Sequence, residues 1–385
     1  MENLAILGST GSIGRSTLDV VRKLNHRFRV VALAAGRNVE LLCRQIEEFK
    51  PEVVSLEHEE DAQALRRMCP DKELHVAFGQ EGAVELSRLS SIDTVVSAIT
   101  GINGLRPTLA AVESGKKVAL ANKESMVVAG ELIQQVVREH QTKIIPIDSE
   151  HSAVFQCISK ETPEDISKVI LTASGGPFFR LSQEEMATKT PEEALNHPRW
   201  QMGKKVTIDS ATMMNKGLEL IEAKWLFGLK PEQLGVLVHP QSIVHSLVEM
   251  QDGSVLAQLS QTDMKIPIQY ALTHPERLDS SLPPLDLSRI QSLEFYAVEE
   301  HKFPLLQLAI QALNETQAFS VALNAANELA VEAFLGKIIK FSDIHVVVAE
   351  TLETRDGETI HSVEDIFEVD RAARERARTI LKQRT

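Results

Sequence analysis

The chain has 385 residues, of which 43% are hydrophobic and 25% charged, as expected of a soluble globular protein. This length exceeds what one ordinary hydrophobic core serves, so two or three domains are expected. The chain has 41 Lys and Arg residues and 54 Asp and Glu residues, which gives a net charge of −13. This charge argues against nucleic acid as the main partner, although a few well-placed cations could still bind a phosphorylated small molecule.

A glycine-rich turn follows the first predicted strand. The segment Leu4–Leu7 is predicted to be a strand, Gly8–Gly14 the turn, Ser16–Leu24 an amphipathic helix and Val30–Ala34 the next strand. In such a strand, turn, helix and strand unit, the glycines allow close approach to a pyrophosphate at the helix N-terminus. A glycine turn without a ligand is the weaker alternative in this context. The pattern predicts a Rossmann-like dinucleotide domain.

The end of the second strand indicates which dinucleotide is bound. An Asp or Glu at this place usually meets a free ribose hydroxyl, whereas a cation meets a 2′-phosphate. The sequence here is Ala35-Gly36-Arg37-Asn38, with Arg37 and no acid. NADPH is therefore predicted in preference to NADH.

Strands and helices continue to alternate through the first 150 residues. Helices are predicted at Asn38–Lys50 and Glu59–Met68, and strands at Val53–Leu56, Leu74–Phe78, Thr94–Ala98, Val118–Ala121 and Lys143–Ile147. Such alternation predicts a parallel sheet with helices on both faces, whose ligands bind beyond the carboxyl ends of the strands. The segments Gly8–Gly14, Ala98–Gly104, Asn122–Ser125 and Asp148–Glu150 each follow a strand, so they are expected on one edge of the sheet.

Two carboxylates flank a serine after the last of these strands. If Asp148-Ser149-Glu150 is extended, Asp148 and Glu150 share a face and Ser149 points away. Carboxylates held that close repel each other unless a cation lies between them or one is protonated. A solvated strand end is the alternative.

Lys123 and Glu124 begin a predicted helix at the same edge. They are either a salt-bridged helix start or, in the case of Lys123, a group that orients a substrate hydroxyl or assists proton movement. The second interpretation is favoured.

The alternation ends near residue 150. Lys168–Thr172 is a predicted strand that leads into Ala173–Phe178, where Ser174 precedes two glycines. A serine hydroxyl with bare backbone N–H groups suits an anion nest. A plain turn before Pro177 is the alternative.

A polar, irregular stretch, Arg180–Arg199, follows and leads into His197–Gly203. Trp200 and Met202 in such a segment predict a lid that closes over a ligand. A tryptophan that anchors the loop on the core is the alternative.

Val206–Asp209 is a predicted strand, and a helix is predicted from Thr212 onward. In that helix Lys216 and Asn215 each share a face with Glu219. With Ser210 they suit a phosphate, and Glu219 offers a third carboxylate. An exposed ion pair of Lys216 with Glu219 is the alternative, and Glu222 is the rival carboxylate.

Three carboxylates without a Cys or paired-His ligand set predict a hard octahedral cation, Mg²⁺ or Mn²⁺. The remaining predicted elements are the strands Gly235–Val238, Ile243–Met250 and Ser254–Leu259 and the helices Leu305–Leu313, Ala318–Leu335, Ile344–Leu352 and Val363–Lys382.

The predicted fold class is α/β, with an N-terminal Rossmann-like parallel sheet, a central α+β catalytic domain with a mixed sheet and a C-terminal helical domain. The expected boundaries are 1–148 for the NADPH-binding domain, 149–275 for the catalytic domain with a lid at about 177–204, 276–300 for a linker and 301–385 for the helical domain.

The cysteines and the N-terminus bear on the compartment. Cys43, Cys69 and Cys157 are odd in number and widely spaced, which predicts neither a disulfide framework nor a zinc site and suits a reducing compartment. The chain opens without a charged leader, and no stretch approaches a membrane span. A cytoplasmic protein without a membrane partner is expected.

In this order, Gly8–Gly14, Ala121–Ser125, Asp148–Glu150, Ala173–Phe178 and Ser210–Glu219 closely resemble the 1-deoxy-D-xylulose 5-phosphate reductoisomerase family, as do His239–Ser242 and Ala322–Glu328. The resemblance covers essentially the whole chain. It implies an NADP-dependent oxidoreductase that rearranges and reduces 1-deoxy-D-xylulose 5-phosphate to 2-C-methyl-D-erythritol 4-phosphate for non-mevalonate isoprenoid synthesis. The implied cofactors are NADPH and Mg²⁺ or Mn²⁺, with Co²⁺ also possible, and the implied assembly is a homodimer formed through the middle-domain sheet.

The resemblance also assigns roles to residues. The metal ligands are Asp148, Glu150 and Glu219, with Lys123 and Ser149 contacting the substrate near the metal. The phosphate contacts are Ser174, His197, Ser210, Asn215 and Lys216, and the lid residues are Trp200 and Met202. The NADPH contacts are Thr10, Gly11, Ser12, Ile13, Gly36, Arg37, Asn38, Asn122, Glu124 and Gly203.

Two other functions are compatible with parts of the pattern. A semialdehyde dehydrogenase-like NADP oxidoreductase has a similar glycine turn but requires a nucleophilic thiol, for which Cys157 is the candidate. Cys157 lies in an apolar helical pattern without an evident base, so packing is its expected role. A non-catalytic NADPH sensor is the second alternative.

Overall fold

The computed structural model describes residues 1–70, 73–158, 161–200, 202–280, 282–353 and 359–384. Contacts divide the chain into a first unit, Met1–Ser125, Ile133–Ser152 and Asp263–Leu282, and a second unit, Met126–Leu132, Ala153–Thr262 and Pro283–Thr385. The predicted boundaries at 148, 275 and 300 remain a prediction. Gln201 of the predicted lid, Ser281 of the predicted linker and 354–358 and 385 of the predicted helical domain lie outside the described residues.

The strands in chain order are β1 Glu2–Leu7, β2 Phe28–Ala35, β3 Val53–Leu56, β4 His75–Phe78, β5 Thr94–Ser97, β6 Lys117–Leu120, β7 Ile144–Pro146, β8 Ile166–Ala173, β9 Leu234–Val238, β10 Val244–Met250 and β11 Val255–Leu259. The α-helices are α1 Ser12–Lys23, α2 Val39–Phe49, α3 Glu59–Met68, α4 Gly79–Arg88, α5 Leu105–Glu113, α6 Lys123–His140, α7 Ser149–Cys157, α8 Gln183–Ala187, α9 Pro191–Ala194, α10 Lys204–Ala211, α11 Met214–Phe227, α12 Lys265–Thr273, α13 Leu287–Ile290, α14 Pro304–Ala312, α15 Gln317–Leu335, α16 Asp343–Glu353 and α17 Val363–Arg384.

The first unit is built on a parallel sheet of strand order β4-β3-β2-β1-β5-β6-β7. Its central strands are continuous apolar runs, and Leu4–Leu7 is fully buried. Strands of a parallel sheet are apolar at nearly every position because helices cover both faces of the sheet. The predicted Rossmann-like sheet is confirmed, and its order places the ends of β1, β5, β6 and β7 side by side.

The second unit combines a mixed sheet with the C-terminal helices. The sheet order is β11-β10-β8-β9, in which β8 pairs parallel with β9 and β10 pairs antiparallel with β8 and β11. Helix α15 is the buried centre of the helical part and packs against α16 and α17, with Phe319 and Phe334 almost inaccessible. The predicted mixed sheet and helical region are confirmed. Within the described ranges, no helix combines the length and apolarity needed to cross a bilayer.

Two local predictions about secondary structure are wrong. Val206–Asp209 is not a strand but the middle of helix α10. Its β-branched residues favour a strand, yet burial of Ile208 and a hydrogen bond from the Thr207 hydroxyl to the Gly203 carbonyl, at 3.0 Å, stabilise a helix. Asp148-Ser149-Glu150 is not extended either, because α7 begins at Ser149.

The prediction that the cysteines form no disulfide is also wrong. Cys43 of α2 and Cys69, which follows α3, form a disulfide with a Cα–Cα distance of 6.3 Å. They are 26 residues apart in sequence, and the packing of α2 against α3 brings them together. The spacing of cysteines alone could not show this, and the pairing removes the cysteine argument for a reducing compartment.

Candidate active site

The glycine turn of the first unit requires its glycines. Gly8 has a φ of +87°, and a Cβ there would lie 2.4 Å from the Ala98 carbonyl oxygen. A Cβ on Gly14 would lie 2.3 Å from the Gly8 carbonyl oxygen. The turn therefore folds tightly onto the start of α1, whose first turn carries no acidic side chain. An exposed helix N-terminus without a negative charge fits a pyrophosphate, and Thr10, Gly11, Ser12 and Ile13 lie at this point.

The four segments predicted to share one edge of the parallel sheet do so. They follow β1, β5, β6 and β7, which are neighbours in the sheet. The Asn122 amide donates to the Gly101 carbonyl at 3.0 Å, and the Lys123 ammonium pairs with the Asp148 carboxylate. The edge thus brings the glycine turn, a buried lysine and the acidic pair into one unit.

Arg37 lies where the sequence placed it, exposed beyond the end of β2 between Gly36 and Asn38. Its guanidinium lies 2.7 Å from the Nε2 of His58, and the Asn38 side chain accepts the Leu41 N–H at 3.0 Å and so caps α2. His58 was not predicted. It follows β3, the neighbour of β2, so sheet order is the signal that would have identified it.

We expect Arg37→Ala to weaken NADPH binding about 10- to 100-fold and NADH binding about twofold or less. A hydrogen bond to a charged group contributes about 1.5–3 kcal/mol, and tenfold in affinity corresponds to about 1.4 kcal/mol. Fluorescence titration with each nucleotide measures both losses. The matched control is Arg29→Ala, which removes an exposed arginine from the opposite end of β2, where it pairs with Glu52 at 2.9 Å. Equal losses for NADPH and NADH would refute the assignment.

Asn122, a predicted NADPH contact, has its side chain fully engaged within the first unit. Its NH₂ group donates to the Gly101 carbonyl and to Glu124, both at 3.0 Å, and its oxygen accepts the backbone N–H and the hydroxyl of Ser125. An amide has two donors and two lone pairs, so all four are used. The Asn122 side chain therefore caps α6 and fixes Glu124, and the Asn122 backbone N–H donates to the Ser97 carbonyl at 3.0 Å.

The acidic pair differs from its predicted geometry. Asp148 precedes α7 and forms an ion pair with Lys123, while Ser149 and Glu150 are the first residues of the helix. The Ser149 hydroxyl donates to the Glu150 carboxylate at 2.6 Å, so it does not point away. Lys123, 9% exposed, supplies a positive charge beside Asp148.

In the second unit, the loop after β8 also requires glycine. Gly175 and Gly176 have φ values of +82° and +68°, and a Cβ on Gly176 would lie 2.5 Å from the Ser210 carbonyl oxygen. The Gly176 N–H donates to the Ser174 hydroxyl oxygen at 3.1 Å. One N–H group of the expected nest, that of Gly176, is therefore already hydrogen-bonded, and the Ser174 hydroxyl can donate to an anion in its place.

Helix α11 carries the predicted polar face. The Asn215 amide and the Lys216 ammonium both donate to the Glu219 carboxylate, which confirms the same-face pairing. Lys216 is only 3% exposed and Glu219 only 1%, so the alternative of an exposed ion pair is wrong. A buried charge pair is costly to desolvate and weak evidence of a purely stabilising role. The rival carboxylate Glu222 is also buried on this helix.

The C-terminal end of the predicted lid contacts other residues of the second unit. The His197 Nε2 lies 3.0 Å from the Ser174 hydroxyl, Arg199 donates from Nε to the Pro240 carbonyl at 3.1 Å, and the Trp200 ring centroid lies 6.4 Å from that of His245. Met202 is partly buried, and Gly203 caps α10. Burial lowers the pKa of the His197 imidazole from 6.5 to about 4, so this ring is neutral near pH 7.

A buried polar cluster beside Ser210 was not predicted. Asp209 is 1% exposed, and its carboxylate accepts the Asn327 amide at 2.8 Å and pairs with the Lys205 ammonium at 2.9 Å. These contacts join α10, which carries Ser210, to α15. The sequence signal for this contact is Asn327, a polar residue within the apolar run of α15.

Cys157 does not have the properties of a nucleophile. Burial raises the pKa of its thiol above the usual value, which disfavours the reactive thiolate. The semialdehyde dehydrogenase alternative required that thiolate, and this geometry argues against it.

Comparison with known proteins gives a consistent result along the chain. A family model of 1-deoxy-D-xylulose 5-phosphate reductoisomerase matches residues 4–130. A model of the 1-deoxy-D-xylulose 5-phosphate reductoisomerase C-terminal domain matches residues 144–227, and a model of the DXP reductoisomerase C-terminal domain matches residues 259–376. The protein of that name from Chlorobium chlorochromatii is 51% identical over 381 residues, which cover 99% of this chain and 100% of the relative. The Chlorobaculum tepidum protein is 50% identical with the same coverage.

Solved structures agree. A crystal structure of DOX-P reductoisomerase in complex with NADPH, fosmidomycin and magnesium is 43% identical with a TM-score of 0.93, and the match covers 99% of this chain and 98% of that one. The Zymomonas mobilis enzyme in complex with NADPH is 42% identical with a TM-score of 0.92, and 99% of each chain is covered.

Proposed function

The chain belongs to the 1-deoxy-D-xylulose 5-phosphate reductoisomerase family, and we propose which of its residues carry out the family's reaction. The enzyme uses NADPH and a divalent metal ion to convert 1-deoxy-D-xylulose 5-phosphate to 2-C-methyl-D-erythritol 4-phosphate in isoprenoid precursor synthesis. Identity of 51% over 99% of the chain is the observation that carries this conclusion.

The proposed metal ligands are Asp148, Glu150 and Glu219. Their donor atoms are all carboxylate oxygens, which suit a hard cation such as Mg²⁺ or Mn²⁺, with Co²⁺ also compatible. When bound, the cation supplies Lewis-acid stabilisation of charge on substrate oxygens, and NADPH supplies the hydride. Lys123 and Lys216, each paired with one of these carboxylates, limit the charge repulsion of the ligand set before it is loaded.

Lys123, Ser149, Glu150 and Glu219 are proposed to contact the reacting part of the substrate. Lys123 is 9% exposed beside Asp148, and Ser149 is 8% exposed with its hydroxyl on Glu150. Buried groups with fixed partners can orient a sugar hydroxyl without reorganising during the reaction.

The substrate phosphate is proposed to bind Ser174, His197, Ser210, Asn215 and Lys216. The buried Lys216 ammonium, the Asn215 amide and two hydroxyls are the donors that a phosphate oxygen accepts. A phosphate fixed away from the reacting carbons orients the sugar and lowers the entropic cost of the reaction.

Trp200 and Met202 are proposed as the lid that excludes water. The proposed NADPH contacts are Thr10, Gly11, Ser12, Ile13, Gly36, Arg37, Asn38, Asn122, Glu124 and Gly203. The support is the tight turn at Gly8–Gly14, the helix N-terminus beyond it and the exposed Arg37.

A homodimer formed through the mixed sheet is also proposed. Strand β11 lies at the edge of that sheet and exposes Val255 and Leu256 at 53% and 42%. An apolar edge strand offers unpaired N–H and C=O groups to a second strand. Sedimentation showing a monomer at micromolar concentration would refute this. A cytoplasmic location remains a prediction.

Substrate-dependent oxidation of NADPH tests the proposed function. We expect absorbance at 340 nm to fall when 1-deoxy-D-xylulose 5-phosphate is added with Mg²⁺, and kcat/KM to fall at least about 100-fold for the same sugar without its phosphate. No oxidation with the phosphorylated sugar would contradict the function, whereas equal rates with both sugars would contradict only the phosphate assignment.

A further inference from the structure

Both ring nitrogens of His197 have partners in the second unit. The Nδ1 accepts the backbone N–H of Arg199 at 3.2 Å and that of Trp200 at 2.9 Å. The Nε2 lies 3.0 Å from the Ser174 hydroxyl oxygen. One imidazole therefore closes the turn that carries Trp200 and also reaches the glycine loop after β8.

These contacts define the tautomer. A nitrogen that accepts two N–H groups carries no proton, so the proton of the neutral ring lies on Nε2, which donates to the Ser174 oxygen. The Gly176 N–H donates to the same oxygen at 3.1 Å. With two donors on its oxygen, Ser174 has its own hydrogen left for an acceptor, which suits an oxygen of a deprotonated phosphate.

Among the residues that the structure describes, the turn has two further side-chain contacts. Arg199 donates to the Pro240 carbonyl, and Trp200 lies beside His245. Neither contact closes the turn itself, because each involves a side chain rather than the backbone N–H groups of Arg199 and Trp200. The orientation of the Trp200 backbone therefore depends on the His197 ring.

We propose that His197 serves the phosphate site through the Ser174 hydroxyl rather than by direct contact, as a positioning residue that couples occupancy of that site to the placement of Trp200. The inference rests on the proposed function and deepens it. A ligand that accepts the Ser174 hydrogen polarises that hydroxyl, strengthens its bond with Nε2 and restrains the ring. A restrained ring keeps Nδ1 on the two N–H groups. By linkage, a well-placed Trp200 turn favours phosphate binding in return.

Two substitutions of His197 separate the contact of Nδ1 with the turn from the contact of Nε2 with Ser174. His197→Asn places an amide oxygen near the position of Nδ1, where it can accept N–H groups two and three residues on, but it cannot reach Ser174. His197→Gln places an amide near the position of Nε2, where it can donate to Ser174, but it does not close the turn. The parent protein and both variants carry Trp225→Phe, so that Trp200 is the only tryptophan of the chain and its fluorescence can be compared among the three proteins.

The readouts are Trp200 fluorescence, with and without inorganic phosphate or the sugar phosphate, and the separate values of KM and kcat. Phosphate or substrate should shift Trp200 emission in the parent. The Asn variant should keep the emission of the free parent, lose the ligand-induced shift and raise KM about tenfold with kcat changed about threefold or less. The Gln variant should show red-shifted emission without ligand, a KM within about threefold and a kcat about tenfold lower.

Ser174→Ala tests the coupling without touching the histidine, and it should abolish the phosphate-induced shift while Trp200 emission in the free protein is unchanged. Parallel changes in KM, kcat and emission for the Asn and Gln variants, or a full shift in Ser174→Ala, would overturn the coupling. An absent shift in the parent would overturn it as well. A parent that turns over substrate while its variants fail to separate contradicts only this inference, whereas a parent without turnover contradicts the proposed function.

Discussion

Glu219→Gln is expected to lower kcat/KM at least about 1000-fold, a loss of about 4 kcal/mol of transition-state stabilisation. Glu219 is a 1% exposed carboxylate that receives donors from Asn215 and Lys216. The amide keeps the size of the side chain but removes the charge that a hard cation requires. Steady-state assays across a range of Mg²⁺ concentrations measure the loss, and NADPH affinity should stay within about twofold.

Glu222→Gln is the matched control, since Glu222 is equally buried on the same helix α11 and the substitution is identical. We expect it to retain activity within about tenfold and to leave the Mg²⁺ dependence unchanged. If Glu222→Gln loses activity and Glu219→Gln does not, Glu222 is the ligand and the assignment of Glu219 is wrong.

Lys216→Met is expected to raise KM for the sugar phosphate about 100-fold. Lys216 is 3% exposed, and methionine occupies similar space without a charge, so packing is preserved. Loss of one buried charge-assisted contact to a phosphate costs about 2–5 kcal/mol. Because Lys216 also pairs with Glu219, kcat should fall as well, and separate measurement of kcat and KM resolves the two effects.

The control for Lys216→Met is Lys224→Met, which lies farther along α11, where the ammonium donates to the Leu313 carbonyl at 2.8 Å. It should change KM by about threefold or less. The sugar that lacks a phosphate provides a second control, because Lys216→Met should affect its kcat/KM much less. An equal loss with both sugars would assign Lys216 to the support of Glu219 alone.

The parallel sheet could be predicted because its strands are continuous apolar runs and each ends in a polar or glycine-rich segment. Strand order then placed Gly8–Gly14, Asn122–Ser125 and Asp148–Glu150 on one edge, as the structure shows. The errors arose where local pattern and tertiary context disagree. Val206–Asp209 has strand propensity, but packing makes it helical.

The face of α11 was predictable because Asn215, Lys216 and Glu219 are linked by helical spacing alone. Contacts distant in sequence were not. Asn327 and Asp209 are 118 residues apart, and Cys43 and Cys69 meet only because α2 packs on α3. The roles of the His197 ring nitrogens were also hidden, since no residue pattern specifies which atom of a histidine accepts.

Removal of divalent metal from the working assay tests the central claim most directly. NADPH oxidation with 1-deoxy-D-xylulose 5-phosphate is measured for the metal-loaded enzyme, after addition of EDTA, and after Mg²⁺ or Mn²⁺ is restored in excess. If carboxylates of this chain bind a cation needed for the reaction, EDTA abolishes turnover, NADPH binding persists, and the added metal restores the rate. Turnover that survives EDTA would contradict the account.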